Sequence, residues 1–152
     1  MKKFIYLSIL SLIFISVPNS TLKAQSEEVV VIVNANNSVE NMSMAKVKLY
    51  FLRKTKRRWP ENNKSIKPVD QHRTASIRLV FYNKVLKMSI EDVETYFVEK
   101  QISNAEKPPV IVDSDRKVIN YVSEKEGGLG YVYKNSLSAS DFKKIKIVIK
   151  LP

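Results

Sequence analysis

Val29 to Val33 is an unbroken run of five β-branched residues, and it opens an alternation of segment types that limits what the chain can become. Such side chains are stiff at χ1 and pack well on a pleated surface, so a run without interleaved polar residues reads as a strand buried on both faces. The polar turn Asn34 to Ser38 ends it. Ser43 then starts a helix in which Met44, Val47 and Phe51 recur at helical spacing, with Tyr50 beside Phe51 and with Lys46, Lys48 and Arg53 on the wet side. After Trp59-Pro60 and the turn Glu61 to Lys64, Ile66 to Val69 reads as a short strand. A helix from near Thr74 carries the stripe Ile77, Phe81 and Val85. Another starts at Ser89, where Asp92 three residues on makes a capping-box-like opening and Val93, Tyr96 and Phe97 supply a buried face. Pro108-Pro109 breaks the chain before a strand at Val110 to Val112. Ser114 or Asp115 caps the next helix, whose inner face is Val118, Tyr121 and Val122 and whose left-handed stop is placed at Gly127. Leu129 to Tyr133 and Ile145 to Ile149 are the last strands. The order β-α-β-α-α-β-α-β-β predicts an α/β fold, a sheet covered by helices.

Composition narrows the chemistry. The 152 residues contain no Cys, which excludes a disulfide framework, a thiolate zinc site, a Cys nucleophile and a lipidated N-terminal Cys. His72 is the single histidine, so a two-His metalloprotease helix is impossible and no metal or other cofactor is expected. Lys2 and Lys3, the 14-residue apolar stretch Phe4 to Val17, and a more polar segment ending at Ala24 have the layout of an export signal. The apolar stretch falls short of the roughly 20 residues a spanning helix needs. The expected organisation is therefore a signal peptide over residues 1–24 and one domain over residues 25–152, periplasmic or secreted. Cleavage there would lower the formal net charge from +11 to +8 on 128 residues, a surface that favours anionic partners without specifying which. Export argues against nucleic acid as the partner.

Three segments could carry function. Asp70 to Arg78 runs from a strand end into a helix start, where unpaired backbone N–H groups, the helix dipole and donors from His72, Arg73, Thr74, Ser76 and Arg78 could hold an anion. The alternative is that Thr74 or Ser76 only caps the helix and the arginines are solvated. Arg53 to Trp59 places five cations in six residues before an aromatic, either a grip on an anionic polymer or a solvated loop with Trp59 packed inward. Gly127-Gly128-Leu129-Gly130 concentrates the chain's three glycines, but it enters a strand and lacks dinucleotide or P-loop spacing, so a turn or close backbone packing explains it. Asp70, Asp113 and Asp115 lie at strand ends without the spacing of a catalytic pair.

The order of several motifs resembles the phosphate ABC transporter substrate-binding proteins, and among these the short single-lobe secreted members. The matching residues are Val30 to Asn34, Ser43 to Leu52, Arg58-Trp59-Pro60, Ile66 to Asp70, Ser76-Ile77-Arg78 with Phe81, and Gly127 to Val132. The resemblance implies a type 2 periplasmic-binding-protein lobe, no catalysis and an oxyanion ligand, inorganic phosphate first, with the family's site carried over to Thr74, Ser76 and Arg78 beside the His72 and Arg73 donors read above. Two departures stand out. Arg53 occupies the place where the family's helix often ends in Gly, and Thr74-Ala75-Ser76 lacks the glycine usual in its phosphate loop. Only one lobe is represented, so a homodimer or a membrane transporter partner would have to supply any second face. The contrasting reading is a structural protein of the cell envelope that kept the fold without the ligand and meets an envelope protein through its basic face.

Overall fold

The computed structural model describes residues 27–55 and 57–152. The expected signal peptide over residues 1–24 lies outside the described residues. Strand β1 (Val29–Asn34) is followed by α1 (Met44–Phe51), β2 (Lys67–Gln71), α2 (Ser76–Phe81) continuing into a π-helical turn (Tyr82–Leu86), α3 (Ile90–Asn104), β3 (Val110–Val112), α4 (Asp115–Glu124), β4 (Gly128–Tyr133) and β5 (Ile145–Lys150). These elements build one mixed sheet in the order β3-β2-β4-β1-β5. β2 runs parallel to β3 and β4, and β1 is antiparallel to both of its neighbours, β4 and β5. The α/β expectation and the element order hold.

β1 shows why the sequence folds this way. Its period of two sends Val29, Val31 and Val33 into the core under α1, α2 and α3, while Val30 and Ile32 enter a second core under α4. Both faces are covered, so every position had to be apolar. The first core is centred on aromatic rings: Phe81 stacks on Tyr131 at 4.0 Å and meets Phe51 at 4.9 Å. The second packs Val118, Ile119 and Val122 of α4 against Val69, Val132 and Ile145. Helix starts follow their caps: Ser43 accepts from the Lys46 N–H, Ser114 from the Lys117 N–H, and Ser89 with Asp92 forms a complete capping box.

Three local expectations are corrected. The helix placed near Thr74 begins at Ser76, because His72 to Ala75 first close a turn in which the Ala75 N–H donates to the His72 carbonyl at 2.9 Å. β2 continues through Asp70 and Gln71, both buried, because their side chains have partners inside. Gly127 is no left-handed stop. No glycine has positive φ, and α4 ends at an extended Lys125. The glycines serve close approach instead, since a Cβ on Gly127 would fall within the Ser65 carbonyl and one on Gly128 would lie 2.8 Å from the Val122 Cα.

The position where the family's pattern has Gly is now explained in backbone terms. Arg53 follows α1 with φ of 52°, the left-handed conformation that glycine adopts without strain. Its guanidinium is held by Glu106 at 3.4 Å, and Arg57 pairs with the same carboxylate at 2.8 Å. Trp59 is fully buried and donates from Nε1 to the Gly127 carbonyl at 3.1 Å, with its ring edge-on to Tyr50. Trp59 is therefore a packing residue with no face free for stacking on a ligand.

Candidate functional site

The segment from His72 to Ser76 leaves the carboxyl end of β2, where ligands gather in open α/β sheets, and enters α2. His72, Arg73, Thr74 and Ser76 are all exposed there. His72 Nδ1 lies 3.0 Å from Thr74 Oγ1 and accepts from the Thr74 N–H at 3.4 Å. Ser76 Oγ lies 3.0 Å from the Tyr133 hydroxyl. Arg73 reaches outward to α3, with Nη2 2.7 Å from Glu91 and Nη1 3.0 Å from Glu94. Such exposed pairs contribute little stability, so the guanidinium can be redirected at small cost. Hydrogen bonding to its own backbone N–H, and after it Arg73, holds Glu91 below its ordinary carboxylate range.

Arg78, expected beside these groups as a guanidinium donor, does not join them. It lies in the first turn of α2 with 3% of its surface exposed; its Nη2 forms an ion pair with Asp70 Oδ2 at 3.1 Å and donates to the Tyr82 hydroxyl at 2.8 Å. The Tyr82 hydroxyl donates to the same Oδ2 at 2.6 Å, while Asp70 Oδ1 accepts from the Gln71 N–H at 2.8 Å and from the Tyr131 hydroxyl. A buried carboxylate costs several kcal/mol unless paired and hydrogen-bonded, and here the Arg78 ion pair and three hydrogen-bond donors meet that requirement. Burial is the largest single effect and opposes the Arg78 charge, but Asp70, the Tyr82 hydroxyl and Tyr131 together outweigh it and the arginine's pKa is raised. Burial and then Asp70 push both Tyr82 and Tyr131 well above the ordinary phenol range, which keeps their hydroxyl protons in place as donors. Of the sequence-derived site residues, the structure brings four to one exposed loop and puts the fifth in the floor beneath.

Sequence reasoning missed Tyr82, Tyr131 and Tyr133. One signal was present: Arg78 and Tyr82 stand at i and i+4 on a helix, the spacing at which side chains meet. The other acids are equally engaged. Asp115 accepts from the Tyr133 N–H at 2.9 Å and the Ser136 hydroxyl at 2.6 Å, and Asp113 pairs with Lys117 at 2.6 Å. Among the described residues no three His, Asp or Glu side chains converge as metal ligands. No helix among them is long and apolar enough to cross a membrane. What the loop can offer is two hydroxyls, an imidazole and an exposed guanidinium at a strand's carboxyl end.

No protein-family model matches the chain, and no curated protein is detectably similar to it in sequence. Solved structures are similar in fold. A Clostridium perfringens protein described as a phosphate ABC transporter substrate-binding protein, solved with bound phosphate, matches 80% of this chain at 18% identity and a TM-score of 0.62. An ABC-type phosphate transport receptor from Vibrio cholerae matches the same share at 15% identity, and PstS from Borrelia burgdorferi does so at 10%, both with TM-scores of 0.62. The match covers 44%, 45% and 46% of those chains, less than half of each. The resemblance read from the motifs thus holds at the level of the fold: this chain is built like about one half of a phosphate transporter's substrate-binding protein.

Proposed function

We propose that this chain is an exported, non-enzymatic binding lobe for inorganic phosphate or a related oxyanion, working with or descended from a phosphate ABC transporter system. The observation that supports it is the shared fold with phosphate-transport receptors, one of them solved with phosphate, over 80% of the chain. In this reading the His72 to Ser76 loop is the anion's seat. Thr74, Ser76 and the backbone N–H groups entering α2 donate hydrogen bonds, Arg73 swings from Glu91 and Glu94 to the ligand, and His72 donates from its ring. Arg78 acts from below, fixing Asp70 and the end of β2 that carries the loop. An anion on one exposed loop keeps a face in water, so the expected dissociation constant is about 1 mM, or about −4 kcal/mol. A membrane transporter or a second copy would lower that constant by covering that face.

The test is to titrate phosphate into isotope-labelled protein and follow the backbone amides by NMR. Saturable shifts centred on residues 72–78, lost in a Thr74→Ala/Ser76→Ala variant, support the reading; shifts elsewhere only, or none, refute it. One observation favours a second reading, a scaffold of the cell envelope without ligand. Both arginines of the segment are already matched to carboxylates, Arg73 to Glu91 and Glu94 and Arg78 to Asp70. A scaffold would capture an envelope protein through its basic face regardless of phosphate.

A further inference from the structure

An open cleft of about 360 Å³ lies at the amino end of β2, the opposite end of that strand from the His72 to Ser76 loop. Three backbone segments run side by side there. Arg58 and Ser65 form an antiparallel bridge, the Ile66 N–H donates to the Arg57 carbonyl at 2.8 Å, and the Lys67 N–H donates to the Gly127 carbonyl at 2.8 Å. Segments bonded in this way lie about 4.8 Å apart, which brings Arg58, Lys64, Lys67 and Lys125 to one cleft around Ser65 and Gly127. The sequence concentrates charge in the same place. Residues 53–67 hold seven cations and one acid, more than half of the chain's formal net charge of +11. Nearby carboxylates answer only part of it: Glu106 takes Arg53 and Arg57, Glu126 takes Lys64 at 2.7 Å, and Glu61 takes Lys46. Among the described residues Arg58, Lys67 and Lys125 have no carboxylate partner, and Glu124 is the acid in the cleft that opposes them.

From this juxtaposition we infer a second binding site, for inorganic polyphosphate, a linear chain of phosphate groups that carries neither base nor sugar. Charge sets the sign, since a cleft lined by unanswered cations focuses potential and draws in an anion. Shape sets the form: a concave groove admits a single strand, whereas a bilayer presents a flat face. Chemistry removes the other polyanions. No aromatic or aliphatic side chain lines the cleft, and Trp59, the neighbour of Arg58, is fully buried, so nothing there stacks on a base or inserts among lipid chains. What the cleft can recognise is closely spaced phosphate charge along a strand. The site stands independently of the oxyanion loop at the other end of β2.

The probe is end-labelled inorganic polyphosphate, and its fluorescence anisotropy is followed as the purified protein is added at several salt concentrations. Saturable binding that weakens steeply with salt is expected. The variant Arg58→Gln/Lys67→Gln/Lys125→Gln breaks no ion pair, so it leaves the fold intact; it should weaken binding at least about tenfold and lower the salt slope by about 2, since each phosphate contact on a single strand releases about 0.7 counterion. Lys84→Gln/Lys134→Gln/Lys150→Gln removes the same charge from the opposite end of the sheet, where β4 and β5 finish, and should change affinity by less than about twofold. Oligothymidylate with the same number of phosphates should bind more weakly than polyphosphate, for want of any stacking surface. Absence of saturable binding, an equal loss in both triple variants, or oligothymidylate binding as tightly would each overturn the site. So would a loss of polyphosphate binding in Thr74→Ala/Ser76→Ala, which would move it to the oxyanion loop.

Discussion

Replacing Arg78 with Ala should damage the fold more than a surface change could. The substitution removes the cation paired with a buried carboxylate, and breaking a buried pair from one side typically costs about 3–5 kcal/mol. Asp70 would keep three neutral donors, the Gln71 N–H and the Tyr82 and Tyr131 hydroxyls, which places the expected loss near the lower end, about 3 kcal/mol. For a domain of this size each kcal/mol moves the melting temperature by about 4 °C, so a fall of about 12 °C is predicted at neutral pH. The assay is thermal unfolding followed by circular dichroism. The companion is the double variant Asp70→Asn/Arg78→Met, which removes both charges and keeps a long side chain in place. It should recover most of the loss, because replacing a whole buried pair is far cheaper than orphaning one member. A melting temperature for Arg78→Ala within about 2 °C of the parent, or a double variant no better than the single, would refute the reasoning.

Other consequences can be measured the same way. Gly127→Ala should destabilise by at least about 3 kcal/mol in denaturant unfolding, because the new methyl group meets the Ser65 backbone and not a side chain that could turn away. Ala105→Gly should stabilise by about 1 kcal/mol, since Ala105 ends α3 in the left-handed conformation, φ 56°, with an exposed side chain that makes no bond of its own. Asp141 has a pKa held well below the ordinary carboxylate range, first by the Arg116 guanidinium and then by the Ser138 N–H. A depressed carboxylate stabilises above its unfolded value of about 3.9, and that contribution fades as pH falls through the lower folded value. Asp141→Asn should therefore flatten the acid side of the stability profile below about pH 4, and an unchanged acid limb would contradict the assignment.

Most of the fold was legible because its signals are local. The valine run of β1 and the serine caps of α1 and α3 each act on neighbouring residues, and each element formed where those signals stood. Even the departure at Arg53 was legible as a departure, and the left-handed backbone shows what the family's glycine would have served. The site was less legible for a physical reason. Thr74, Ser76 and Arg78 look alike as donors in a string, but burial separates them, and burial depends on Asp70 in one element, Tyr131 in another and a helix between. Arg78 reads as solvated or as ligand-binding until its tertiary partner is known. Asp70 likewise reads as a loop acid, since nothing local shows that two tyrosines and an arginine will converge on it.

In the proposed function a lobe of this fold, alone, binds phosphate on the loop between β2 and α2. Isothermal titration of phosphate into the purified protein, at low and moderate salt and with sulfate as control, tests it most directly. Saturable heat is expected, with a dissociation constant of about 1 mM, a preference for phosphate over sulfate, and binding that persists at moderate salt. No heat, or a signal that disappears with added salt and does not distinguish sulfate from phosphate, would contradict it and leave a scaffold with a basic surface.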